Sequence, residues 1–314
     1  MIINLMIFWA INRYNLFYKF IRIDMAHQDK KWQNFYEKAW SIRAEFMSEF
    51  LNGGGYNALQ IIGELDKKER LNHLGADENG DLKWHKASSP SQKFNFANIP
   101  HNKITSLNGL NILVPFYTNT SVVNMIIDAL SFEHYDSIVE LGCGYGQNLF
   151  KIFYNGGGVG LKYFGGEFTK SGVEMARKLA NIEPNMKAEF FHFNHLKPKF
   201  DKKFDFGERV LVFTCHTIEQ VREIPDNWFK VVANIAPFVR CIHAEPFGFQ
   251  IASLGEASQK HKEYFIKNGW NLNFAKTLKK AGQNGDIIIE DALLEYSCGT
   301  DPFNPTSIAV WRSV

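Results

Sequence analysis

What the chain has little of narrows its class. Its four cysteines, Cys143, Cys215, Cys241 and Cys298, are widely spaced and include no CxxC pair. They offer neither a disulfide framework nor a structural zinc site, and a reducing, cytoplasmic compartment is expected. No apolar run reaches the roughly twenty residues that a bilayer-spanning helix needs. The opening "MIINLMIFWAI" is too short, its basic residues Arg13, Lys19 and Arg22 follow it rather than precede it, and no small-residue cleavage site appears. Residues 1–24 are therefore expected to be an accessory or over-translated segment, with an interfacial helix as the alternative. Met25 opens "MAHQDKKWQNFYEKAW", which reads as an ordinary start. Charge of one sign is also scarce. A net +2 with no basic stripe makes no case for an extended nucleic-acid surface.

What is present is enough for a full core. With 314 residues, 45% hydrophobic and 15% aromatic, the chain can build one large α/β domain with an appendage, or two modest domains. Residues 27–51 carry Trp32, Phe35, Tyr36, Trp40, Ile42, Phe46 and Phe50 at helical spacing, and "NGGG" ends that helix. From about 64 to 108 turn residues dominate, and an irregular lid is expected. After Pro115 and a polar cap around Thr120 and Ser121, Val122, Met125, Ile126 and Leu130 share one helical face. Strand and helix then alternate: "SIVELG", "KYFGGE", "AEFFHFN", "RVLVFT" and "FVRCIHAE" read as five parallel strands. Ser171 and Glu174 are spaced as a capping box. The link "CGTDPFNPT" is too short for a helical crossover, so "GDIIIEDALLEYS" and "SIAVWRSV" predict a closing antiparallel hairpin.

The stretch "SIVELGCGYGQNLF", residues 137–150, is a turn from strand into helix whose glycines let backbone approach a ligand. The dinucleotide fingerprint is GxGxxG; here Gly142, Gly144 and Gly146 put the third glycine one position early. Glu140 ends the first strand of the alternation, and Glu167 ends the second, where an acid can accept hydrogen bonds from both ribose hydroxyls.

"VELGCGYG" resembles motif I, (D/E)xGxGxG, of class I S-adenosylmethionine-dependent methyltransferases. "YFGGE" is similar to that family's second motif, and "FTCHTIEQV" to the segment after its fourth strand. The resemblance covers roughly residues 112–314. It implies an α/β, Rossmann-like, doubly wound sheet of seven strands, the last antiparallel, preceded by a helical and irregular extension over 25–111. It also implies that the backbone of Gly142, Cys143, Gly144 and Gly146 passes close to the methionine part of the cofactor. Glu140 would favour the cofactor's ammonium, and Glu167 would bind its ribose hydroxyls. Phe168 would pack on the adenine, and Asn194 would read its amino group. The alternative for Asn194 is a loop turn residue.

Methyl transfer needs a positioned nucleophile and a group to take its proton. His216 follows the fourth strand at the sheet edge where ligands bind, with an ordinary pKa of about 6.5. It is either pocket lining or the general base, and Glu219 is either its orienting partner or a solvated first-turn acid. His243 and Glu245 share a face by alternation and could reach the substrate, although a buried core histidine is the blander reading of His243. His216, Glu219, His243 and Glu245 could together hold a divalent metal, but nothing in their spacing requires one. Cys215 reads as a small, inert residue at a strand end. The chain has "TCHT" where base- and amide-methylating enzymes often carry (N/D/S)PP(Y/F/W). That favours a small-molecule hydroxyl acceptor, such as a sugar or secondary metabolite, with Trp32, Trp40, Trp84 and His85 as contacts from the extension. RNA or protein methylation, a non-catalytic cofactor-binding scaffold and a nicotinamide-dependent oxidoreductase stay open.

Overall fold

The computed structural model describes residues 25–86, 102–107, 110–115, 121–201, 203–296 and 305–314. The reading of residues 1–24 and the side chain of Trp32 lie outside the described residues. The chain divides into two compact units, Met1–Ile99 and Pro100–Val314.

In the first unit, α1 (Met25–Gly53) and α2 (Ala58–Leu71) precede an antiparallel hairpin of β1 (Asn72–Ala76) and β2 (Leu82–Lys86). Gly54 and Gly55, both at positive φ, follow the end of α1. Asn57 caps α2: its side chain accepts from the Gln60 backbone, and the Gln60 side chain accepts from its own. Ala58, Ile61, Ile62 and Leu65 form the buried stripe of that helix. Residues 64–86 are thus a helix end and a hairpin, where the polar sequence predicts irregular chain. The charged second half of α2 hides a stripe confined to its first two turns. The turn of the hairpin is closed by Asp77 Oδ1, which accepts from the backbone of Asn79 and Asp81.

The second unit begins with a hairpin of β3 (Asn102–Leu107) and β4 (Leu110–Pro115), followed by α3 (Ser121–Phe132). The strands β5 (Ser137–Leu141), β6 (Lys162–Glu167), β7 (Lys187–His192), β8 (Arg209–Cys215) and β9 (Phe238–Glu245) are mutually parallel, in the spatial order 7-6-5-8-9. The closing strands, β10 (Ile288–Leu293) and β11 (Ser307–Arg312), complete seven strands, with β11 antiparallel to both β9 and β10. This is the doubly wound α/β sheet, with an antiparallel insertion near its end, that the resemblance implies.

Strand β5 lies between β6 and β8 and is buried along its whole length, which is why it reads as a largely apolar run with Glu140 as its one charged residue. The chain leaves β5 toward β6 on one side and later returns through β8 on the other. That reversal opens a crevice at the carboxyl end of the parallel strands, where open α/β sheets bind ligands. Beside it, a side chain on Gly165 would begin 2.4 Å from the Phe190 ring and 2.7 Å from Cys143 Sγ. The glycine pair of β6 is a packing requirement.

The crossover helices are α4 (Gln147–Ile152), α5 (Lys170–Asn181) and α6 (Trp228–Ala233). The cap of α5 is Thr169, whose Oγ1 accepts from Gly172 N, rather than the predicted Ser171. Residues 153–157 follow α4 as a single π turn. Three helices follow β9: α7 (Gly248–Ile251), α8 (Glu256–Asn268) and α9 (Phe274–Gln283). Gly269, at φ +65, ends α8 in the left-handed conformation. Among the described residues no helix is long and apolar enough to cross a membrane.

Candidate active site

The site is built from the carboxyl ends of β5, β6, β7, β8 and β9. At the tip of β5, the Gly142 and Cys143 N–H groups donate to the Gly166 carbonyl at 2.7 and 3.1 Å, tying the turn to β6. Gly142 is at φ +90, and a Cβ there would fall 1.9 Å from Thr217 Oγ1. Only glycine lets the turn after β5 meet the turn after β8 this closely. Gly146, also at positive φ, opens α4.

Glu140, on β5, is 2% exposed. Its Oε1 accepts from Asn148 Nδ2 at 2.7 Å, while its Oε2 is buried with no hydrogen-bond partner. Burial, reinforced by the nearby Glu167 carboxylate, pushes its pKa up to about 8. A carboxylate held this way takes up a proton or attracts a cation. Burial also pushes the Cys143 thiol up, so it carries no thiolate chemistry near neutral pH.

Glu167, at the end of β6, is committed to the protein. Its Oε2 accepts from Gly144 N at 2.9 Å, and its Oε1 accepts from both the backbone and the hydroxyl of Thr169, each at 2.8 Å. The carboxylate therefore bridges the glycine turn and the first turn of α5. The Phe168 backbone N–H is a further donor to the same carboxylate. Phe168, half-buried, lies against His192 with ring centroids 5.4 Å apart. Asn194 Oδ1 accepts from Leu196 N at 2.9 Å and so closes its own turn, with one lone pair left over.

His216 follows β8 at φ +49, a left-handed conformation that costs a non-glycine residue about 1–3 kcal/mol. Its Nδ1 lies 3.4 Å from Glu219 Oε2, and its Nε2 lies 2.7 Å from the hydroxyl of Thr306. Glu219 sits in a single 3-10 turn, Ile218–Gln220. Glu245, at the end of β9, holds that turn: its carboxylate accepts from the N–H groups of Thr217, Ile218 and Glu219 at 3.1–3.3 Å. Burial, with Glu219 adding to it, raises the Glu245 pKa to about 7.

His243 lies in the core, with none of its surface exposed. Its Nε2 accepts from the Trp311 indole at 2.8 Å, so its proton sits on Nδ1, which faces Thr214 Oγ1 at 2.9 Å. Burial lowers its pKa to about 3. Glu245 thus reaches the site as a support for the turn after β8, and His243 faces the core. Among the described residues no three histidine, cysteine or acidic side chains are grouped to hold a metal ion.

Sequence reasoning missed His195, the residue next to Asn194, which is 94% buried. Its Nδ1 accepts from Trp228 Nε1 at 3.2 Å, which puts the proton on Nε2, 3.4 Å from Thr217 Oγ1. Burial pushes its pKa down to about 3, and it stays neutral. Its partner Trp228 is 33 residues away, on a helix across the sheet edge, and no local signal announces the pair. Thr217 and Thr306 were missed for the same reason: each is an ordinary threonine until another strand end is brought beside it.

No protein-family model matches the chain, and no curated protein matches it by sequence. Among solved structures, it is similar to a geranyl diphosphate methyltransferase in complex with GPP and sinefungin, at 11% identity and TM-score 0.41 over 62% of this chain and 78% of the other. It is similar to a SAM-dependent methyltransferase from Aquifex aeolicus, at 12% identity and TM-score 0.41 over 64% and 94%. It is also similar to a small RNA methyltransferase, at 16% identity and TM-score 0.42 over 62% and 25%. The roles of individual residues rest on this chain's own geometry.

Proposed function

We propose that the chain transfers a methyl group from S-adenosylmethionine to a hydroxyl of a small molecule, a sugar or secondary metabolite. The observation that carries this reading is Glu140 Oε2, buried and without a hydrogen-bond partner beside a glycine turn. An ammonium group set there supplies both the missing donor and the missing positive charge. The cradle at Gly142, which admits no Cβ, fits the same ligand. So does the position of both features at the crevice where the strand order reverses.

The cofactor, when bound, supplies a methyl carbon on a positively charged sulfur, and one proton must then leave the acceptor. The chain's own residues do the rest. Glu140 holds the ammonium, and the Gly142–Gly146 backbone walls the methionine part. Glu167, fixed at the end of β6, faces the ribose hydroxyls, and Phe168 and the free lone pair of Asn194 address the adenine. His216 takes the acceptor's proton.

Titration calorimetry on the full chain tests the reading. S-adenosylmethionine and its demethylated product are expected to bind, and Glu140→Gln to weaken both by about tenfold or more. NAD binding in their place would return the turn to hydride chemistry. Methyl label arriving only on nitrogen acceptors would overturn the hydroxyl assignment.

A further inference from the structure

Both ring nitrogens of His216 are already engaged. Glu219 Oε2 faces Nδ1 at 3.4 Å, and Thr306 Oγ1 faces Nε2 at 2.7 Å. These three side chains come from the turn after β8 and from the residue just before β11, brought together where β11 runs alongside β9. Thr306 is 96% buried and Glu219 92% buried, so neither contact is an incidental surface pairing.

We infer that Glu219, His216 and Thr306 form a proton relay in which Thr306 carries the acceptor's proton to His216 and Glu219 positions the ring. This deepens the methyltransferase reading and rests on it. An ionised Glu219 accepts from Nδ1–H and so leaves the lone pair on Nε2. Thr306, which can both donate and accept, gives its O–H to that lone pair and keeps an acceptor site for an incoming proton. The acceptor's hydroxyl proton passes to Thr306 Oγ1 while the Thr306 proton passes to His216 Nε2. The electron pair left on the acceptor oxygen would become the new bond to the methyl carbon as the carbon–sulfur bond breaks and its pair leaves on the sulfur. The imidazolium so formed is held by Glu219 and returns its proton to water. The left-handed backbone of His216 is what turns the ring between its two partners.

The test is the tautomer of His216 in the full, ligand-free chain, read by long-range proton–nitrogen NMR of histidine-labelled protein above neutral pH. The wild type is expected to carry Nδ1–H. Thr306→Val removes the donor to Nε2 and should move the Nε2 nitrogen resonance toward that of an imidazole nitrogen without a hydrogen bond, with Nδ1–H retained. Thr306→Ser should restore the wild-type resonance, and Glu219→Gln should lower the Nδ1–H to Nε2–H ratio independently. A wild-type ring protonated on Nε2, or an Nε2 resonance unmoved by Thr306→Val, overturns the relay. Neither result depends on cofactor binding, so a failed relay and a failed methyltransferase reading are distinguishable.

Discussion

Single residues at this site carry linkages that can be measured. Glu140 ionises at about pH 8 in the folded chain against an ordinary carboxyl value of 4.5. The folded state therefore holds more protons than the unfolded state between those values, and the stability contribution of Glu140, complete below about pH 4.5, is lost as pH rises through 8. Glu140→Gln, which stays uncharged, should unfold at a higher temperature than wild type at pH 8, by about 3 °C or more, and show no such gain at pH 5. Thermal scans at the two pH values check this. On the proposed reading the same proton appears in binding, where near pH 7 a ligand ammonium displaces it. The heat of S-adenosylmethionine binding should then vary with the ionisation enthalpy of the buffer, and in Glu140→Gln it should not. At Gly142 the constraint is steric. Gly142→Ala combines a φ of +90 with a collision at Thr217, and should cost about 2 kcal/mol or more in denaturant unfolding. Adding Thr217→Ala should return part of that loss, since the two side chains share one space.

Among the elements, the strands were legible because period and burial agree. The alternation of apolar strands with amphipathic helices gave five parallel strands, and the short last connection gave the antiparallel pair. The glycine turn and both acids at strand ends were legible for a related reason, since a motif of adjacent residues survives in one dimension. What holds the turn after β8 was not. Asn271 reaches it from the loop between α8 and α9: its N–H donates to the Glu219 carbonyl and its Nδ2 to Val221, while its Oδ1 accepts from Asn273 and Phe274. No spacing rule connects positions about fifty apart. Asn271→Ala leaves several of these groups without partners and should cost about 2–3 kcal/mol. It should also raise amide exchange at residues 217–224 before exchange rises in β5 or β8. Exchange rising uniformly would show that Asn271 supports the whole unit rather than this turn.

For the whole molecule, the two compact units each hold a core of their own. A fragment beginning at Pro100 should unfold cooperatively in denaturant, whereas non-cooperative melting would tie its stability to the first unit. Within the second unit, charge links elements far apart in sequence: Arg240 on β9 bonds Glu133 after α3 at 2.6 Å and Glu290 on β10 at 2.9 and 3.0 Å. The insertion of β11 between β9 and β10 has a consequence for the order of manufacture. A ribosome emits β10 before the strand it pairs with exists, and it emits Thr306 long after His216. Until β11 emerges, β9 presents an open apolar edge and β10 has nothing to pair with. Chains stalled before residue 306 should therefore recruit chaperones that recognise exposed strands, and His216 meets Thr306 only when the nascent sheet closes.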